Sequence, residues 1–340
     1  MTTQTTKQRT RVFSGAQPSG KLHLGNYLGA LRNWAANQHE KKNFFCIVDM
    51  HAITLPQDPE TLHRQTREAA AVYIAAGLDP EVSTIFIQSH VPAHAECCWI
   101  LNCVTPVGWL ERMTQYKTKA EQRESVSTGL LDYPVLQAAD ILLYDAHEVP
   151  IGEDQKQHVE LTRDIAQRFN YLYGETFTIP EAVIPQSGAR IRALNDPTRK
   201  MSKSEAETRG HAIALVDDPD EIRYTIRTAV TDSGREITFS EAPEKAGVNN
   251  LLEIYELLTR QSRSSIEAHF AGKGYGALKG EVAEVVVEAL HPIRERYQQL
   301  ISDPAELDRI LLMGAERAKS VAEPKMQEIK RKVGFIVVNS

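Results

Sequence analysis

At 340 residues the chain is long enough for two packed units, and its 42% hydrophobic and 25% charged residues are those of an ordinary soluble globular protein. A formal net charge of −6 excludes a lysine-coated, general nucleic-acid binder, while a local basic patch can still hold an RNA partner. No apolar run approaches the length that spans a bilayer, and the polar residues 1–11 lack the apolar core of a secretory signal.

Arg11-Val-Phe13-Ser-Gly15 predicts a first strand that runs into a Gly/Pro turn. Residues 24–38 predict a helix, because Leu24, Leu28, Leu31 and Trp34 recur at helical spacing. The apolar run at residues 43–49 fits a buried parallel strand. Residues 59–77 predict a helix and residues 84–88 the next strand. This alternation predicts an α/β fold with a doubly wound parallel sheet, a Rossmann-like domain.

Residues 93–170 predict a mostly helical insertion that carries substrate contacts. A short strand near residues 190–194 is expected to return to the sheet. Helices are then expected at residues 220–230, 249–259, 280–300 and 304–321, with a glycine-rich loop at 272–276. Pro324 is expected to break or restart the last helix. The boundary is expected between a catalytic unit, residues 1–214, and an all-helical unit, residues 215–340. There is no internal repeat.

Cys46, Cys97, Cys98 and Cys103 contain no CxxC pair, so buried thiols in a reducing cytosol are expected, and with them a cytoplasmic location. His90 and His94 stand four apart, but Pro92 lies between them and no third ligand is spaced to join them. No metal site is expected, and His94 reads as part of a helix start.

Three segments carry chemistry. Gln17-Pro-Ser19-Gly-Lys-Leu-His23-Leu-Gly25-Asn26 reads as a turn opening a helix, whose N–H groups attract phosphate. His23 and Asn26 would add side-chain donors, and Gly25 would let a flat base approach the backbone. Lys200-Met201-Ser202-Lys203-Ser204 is a polar loop whose lysines could face a triphosphate and stabilise charge on departing pyrophosphate. Gly152-Glu153-Asp154-Gln155 opens a helix, and Asp154 could bond ribose hydroxyls. Taken singly, these are also a helix cap, a solvated basic turn and an acidic helix start.

Tyr133, Gln137, Asp140 and Tyr144 share one helix face. A carboxylate in so apolar a stretch is costly unless it is paired or bound, so Asp140 is either a ligand contact or half of a structural salt bridge. Arg317, Lys319, Lys325, Lys330, Arg331 and Lys332 make the C-terminal end basic, either as a solvated helix face or as a surface for an RNA backbone.

The order of the first motif and the lysine loop resembles the HIGH and KMSKS signatures of class I aminoacyl-tRNA synthetases. With Val48-Asp49, His51-Ala-Ile-Thr, Ala138-Ala-Asp-Ile-Leu-Leu-Tyr144, Gly152-Glu-Asp-Gln-Lys-Gln-His158 and Gly188-Ala-Arg190, the chain is similar along almost its entire length to the bacterial tryptophanyl-tRNA synthetases. That resemblance implies that Asp140 accepts the indole N–H and that Tyr133 and Gln155 hold the substrate amino group. It implies a ring pocket lined by Phe13, Gly15 and His51, with Gln137 where the family usually carries methionine and Met50 where glutamine is frequent. It places Gln17, Pro18, Ser19, Gly25, Asn26, Gly152, Glu153, Asp154 and Ile191 on ATP or the adenylate. Lys119 would hold the phosphates with magnesium. The implied activity is ATP-dependent activation of L-tryptophan and its transfer to tRNA(Trp), by a homodimer with no membrane partner. The rivals are a tyrosyl-type synthetase, a non-catalytic paralogue that binds tryptophan or RNA, and a small-molecule adenylyltransferase.

Overall fold

The structure is a computed structural model that describes residues 9–121, 125–184, 191–201 and 208–337, with the side chains of 119–121 left out. Five parallel strands form one sheet in the order β3-β2-β1-β4-β5. They are β1 (Arg11–Ala16), β2 (Lys42–Ile47), β3 (Thr84–Ile87), β4 (Glu148–Pro150) and β5 (Glu181–Val183).

Alternation along the strands builds the two faces. Phe44 and Cys46 of β2 enter one core, with Phe13, Phe86 and Tyr144; Phe45 and Ile47 enter the other, with Leu28, Ile74 and Ile85. Helices Ala93–Asn102, Thr128–Leu142 and Lys156–Tyr173 cover the first face. The helix over residues 24–37 and the helix Pro59–Ala75 cover the second.

Helices dominate after β5: Pro219–Arg227, Ala246–Thr259, Arg263–Phe270, Tyr275–Ser302 and Pro304–Lys332. Their core does not stop at residues 214 and 215. Leu251, Val282 and Leu290 belong to the same apolar cluster as Leu24 and Ile47. The helix Pro304–Lys332 runs along the edge strand β3, giving Ile310 and Leu311 to one core and Ala315 and Ala318 to the other. Contact is close enough that a Cβ on Gly314 would lie 1.8 Å from the Ile85 carbonyl oxygen.

Several expectations are corrected. The stretch 93–170 contains β4, and β5 follows it; both strands are too short for their pattern to register. Residues 190–194 do not return to the sheet: Arg192 bridges Lys200 in a separate antiparallel hairpin, and residue 190 lies outside the described residues. Residues 24–37 include a π-helical turn, Tyr27–Leu31. Pro324 does not break the last helix. It forfeits one backbone hydrogen bond, but buried Ala322, Met326 and Ile329 hold the turn against the core.

Three of the six basic C-terminal residues, Arg317, Lys325 and Lys330, are clamps within the protein. Arg317 bonds the Pro80 carbonyl and pairs with Glu81 at 3.0 Å. Lys330 pairs with Glu96 at 2.5 Å. Lys325 is buried, donates to the Thr176 carbonyl and pairs with Asp145 at 2.9 Å.

Candidate active site

Strands are added in one direction from β1 through β2 to β3, and in the other from β1 through β4 to β5. The crevice outside the carboxyl ends of β1 and β4 is therefore the switch point where ligands of such sheets bind. The segment Gln17 to Asn26 leaves β1 there, and Gly152 to Gln155 leaves β4. His51 follows β2 in the short helix Asp49–Ala52, and Gln88 follows β3. One edge of the sheet thus gathers the first motif, the segment at residues 152–155 and His51.

At the first motif, His23 Nδ1 accepts from the Asn26 N–H at 3.3 Å, and Asn26 Oδ1 accepts from the His23 N–H at 3.2 Å. This reciprocal cap engages Asn26 Oδ1 and His23 Nδ1 within the turn. Both atoms are acceptors within the turn, and His23 is buried. Gly25 lies where a Cβ would press on the His23 ring at 3.1 Å and approach Ile191 to 3.5 Å. The bridge from His23 to Ala214 ties this turn to residues 211–215, and His211 accepts from the Leu194 N–H at 3.0 Å. The first motif and the Ile191-to-Met201 hairpin are therefore laced together. Lys200 is exposed and Met201 buried. Ser202, Lys203 and Ser204 lie outside the described residues, as does the side chain of Lys119.

Asp140 is 1% exposed. Gln88 Nε2 donates to its Oδ1 at 2.7 Å, His94 Nδ1 bonds the same oxygen at 2.6 Å, and His51 Nε2 bonds Oδ2 at 2.8 Å. Because an ionised carboxylate only accepts, each imidazole carries its proton on the nitrogen that faces it. The Tyr144 hydroxyl can then donate to His94 Nε2, 2.8 Å away. Burial acts to raise the carboxyl pKa, but the hydrogen bonds from His51 and His94 outweigh it and hold the group below its usual range. Asp140 is thus neither unpaired nor in a simple salt bridge. Of its roughly four acceptor positions, these donors occupy two on Oδ1 and one on Oδ2.

Gln88 and His94 are the residues that sequence reasoning missed. Near position 50, Gln88 Oε1 accepts from the Met50 N–H at 3.1 Å. His94 belongs to a helix start, as expected, but its ring turns inward rather than toward His90, which is exposed.

Tyr133 lies edge-on to His51, ring centroids 6.3 Å apart. Its hydroxyl donates to Gln115 Oε1 at 3.2 Å and accepts from His158 Nε2 at 2.9 Å, and burial pushes its phenol up to about 12. Gln137 is partly exposed one turn before Asp140, while Phe13 is buried against Tyr144, with centroids 5.5 Å apart. A cleft of about 360 Å³ opens beside Tyr133 and Leu136, walled by Met50, Ile53 and Trp99. Gly152, Glu153 and Asp154 are exposed, and Gln155 Nε2 donates to Asp154 Oδ2 at 2.9 Å. Burial raises Cys46 and Cys97 and pushes Cys98 to about 12, so these three thiols are poor nucleophiles; Cys103, expected to be buried, is exposed. Among the described residues no group of three or more His, Cys, Asp or Glu could hold a metal ion.

A family model described as tRNA synthetases class I (W and Y) matches residues 5–291. A tryptophan–tRNA ligase of Caldanaerobacter subterraneus is 53% identical over 327 residues, covering 96% of this chain and 99% of the relative. That of Bacillus subtilis is 52% identical over 324 residues, covering 95% and 97%. The crystal structure of Campylobacter jejuni tryptophanyl-tRNA synthetase with ADP and tryptophan superposes with a TM-score of 0.86 at 38% identity, covering 96% of this chain and 100% of that one. A tyrosyl-tRNA synthetase from Aeropyrum pernix, at 21% identity and a TM-score of 0.62, shares the fold. Sheet order, switch-point motifs and full-length relatives agree: the chain belongs to the class I tRNA synthetases, in their tryptophan–tRNA ligase family.

Proposed function

We propose that this chain activates L-tryptophan with ATP and transfers it to tRNA(Trp). The observation that carries the reading is Asp140: a buried, ionised carboxylate whose remaining acceptor position, on Oδ2, suits a flat ring's N–H. Phe13, Gly15, His51 and Gln137 would surround the ring. Tyr133 and Gln155 would hold its amino group.

In the first step the tryptophan carboxylate attacks the α-phosphorus, the bond to the bridging oxygen breaks, and pyrophosphate leaves. In the second, a terminal ribose hydroxyl of the tRNA attacks the adenylate carbonyl and AMP leaves. Neither step needs a protein nucleophile. Gln17, Pro18, Ser19, Gly25, Asn26, Gly152, Glu153, Asp154 and Ile191 would seat the nucleotide, the buried His23 shaping the turn. Lys200 and Lys203, with Ser202 and Ser204 and with Met201 as anchor, would counter charge on the phosphates. When bound, magnesium neutralises phosphate charge. With no acidic cage among the described residues it would travel on ATP, with Lys119 sharing that charge.

The working form is a cytoplasmic homodimer. Its support is the exposed pair Ile53 and Trp99, at 62% and 69%, on the walls of the cleft beside Tyr133. Exchange of labelled pyrophosphate into ATP, with each amino acid in turn, tests the assignment. Exchange should depend on tryptophan; equal exchange with tyrosine would overturn it.

A further inference from the structure

The hairpin Ile191 to Met201 pairs so that the Arg192 N–H and C=O point away from the Lys200 strand. Its own bonds run from Met201 N–H to Ile191 and from Ala193 N–H to Arg199. Asn250, on the helix Ala246–Thr259, takes both outward groups. Its Oδ1 accepts from the Arg192 N–H at 2.8 Å, and its Nδ2 donates to the Arg192 carbonyl at 3.0 Å. The side chain stands in for a neighbouring strand, and it is 2% exposed. A second contact runs in parallel. Gly247, one turn earlier, sits so close to Val230 that a Cβ there would come within 2.1 Å of its carbonyl oxygen, and the Val230 N–H bonds the Leu194 carbonyl at 2.8 Å. Beside these contacts lies a cleft of about 650 Å³, walled on one side by Arg192 and Thr198 and on the other by Asn249, Glu253 and Arg263. Asn250 therefore spans the edge of a gap.

We propose that Asn250 is a positioning residue: through the Arg192 backbone it sets the seat of the hairpin that presents Lys200, and so couples the placement of the C-terminal helices to the phosphate chemistry. The proposal rests on the reading of the lysine hairpin given above. An amide that served only to fill the helix interface would leave the hairpin's exposed strand unaffected.

Two readouts on the full-length protein separate these cases. The first is the rate of trypsin cleavage at Arg199 and Lys200 under native conditions, located by mass spectrometry. Asn250→Ala should raise it about tenfold, the scale of losing two ordinary hydrogen bonds. Asn250→Asp keeps the acceptor and the volume, so it should give a smaller rise and guards against an Ala variant that fails to fold. An unchanged rate in both overturns the proposal, whatever the activity. The second is a double-mutant cycle in pyrophosphate exchange. Asn250→Ala should lower kcat and leave the KM for tryptophan within about twofold. Lys200→Ala should then cost less in that background than in the parent, and strictly additive losses overturn the coupling. If cleavage accelerates while Lys200→Ala alone leaves exchange intact, the positioning role stands and the catalytic reading of Lys200 falls.

Discussion

Asp140 is tolerated in an apolar shell because Gln88, His51 and His94 all turn donors toward it. On the proposed reading, the same arrangement lets it read the ring nitrogen. Take tryptophan and an analogue with sulfur in place of the indole N–H. The parent should reject the analogue, because Asp140 would lose a donor inside a closed site. A charge-assisted bond is worth about 1.5–3 kcal/mol, so Asp140→Ala should shrink the ratio of kcat/KM for the two substrates by about ten- to a hundredfold. An unchanged ratio would assign Asp140 to the fold alone and turn attention to Gln137. Asp140 was legible in sequence because a charge on an apolar helix face needs a reason. His94 was not, since its contact with Asp140 spans 46 residues of chain. Periodicity sees neighbours along one element, and this pair joins two.

Among elements, the strands with long apolar runs, β2 and β3, could be read directly, and so could the amphipathic helices around them. β4 and β5 span only Glu148–Pro150 and Glu181–Val183 and show no alternation long enough to separate strand from loop. The lysine hairpin hid for another reason: it pairs with itself and with Asn250 rather than with the sheet. Its expected role has a clear test. Lys203→Ala should lower kcat in exchange by about 10²–10³-fold, while equilibrium binding of tryptophan without ATP hardly changes. Turnover within about twofold of the parent, roughly 0.4 kcal/mol of barrier, would make the loop a surface turn. The contact of the last helix with β3 is equally testable. A methyl at Gly314 would fall 1.8 Å from the Ile85 carbonyl oxygen, so helix and strand must part. Gly314→Ala should cost about 1–3 kcal/mol, read as a lower urea midpoint with the slope retained. A midpoint equal to the parent's would show that the helix can shift freely along the edge.

At the scale of the whole molecule, the large apolar side chains left outside are the informative ones. Trp99 and Ile53 stand exposed on the walls of the cleft that reaches Tyr133, so a partner copy seated there would border the amino-acid site. On the proposed homodimer, Trp99→Glu should give a monomer in light scattering where the parent gives a dimer. It should also weaken tryptophan activation, although Trp99 makes no bond to Asp140's network. A parent that is monomeric at micromolar concentration would refute the homodimer.

The helix laid along β3 also has a bearing on how each copy is made. The ribosome delivers the sheet before this cover. Until Pro304–Lys332 has cleared the exit tunnel, the outer strand keeps a row of bare backbone donors and acceptors open to any passing strand. A truncation or a proteolytic nick within that helix should therefore yield a sticky, unsealed sheet rather than a shorter working enzyme.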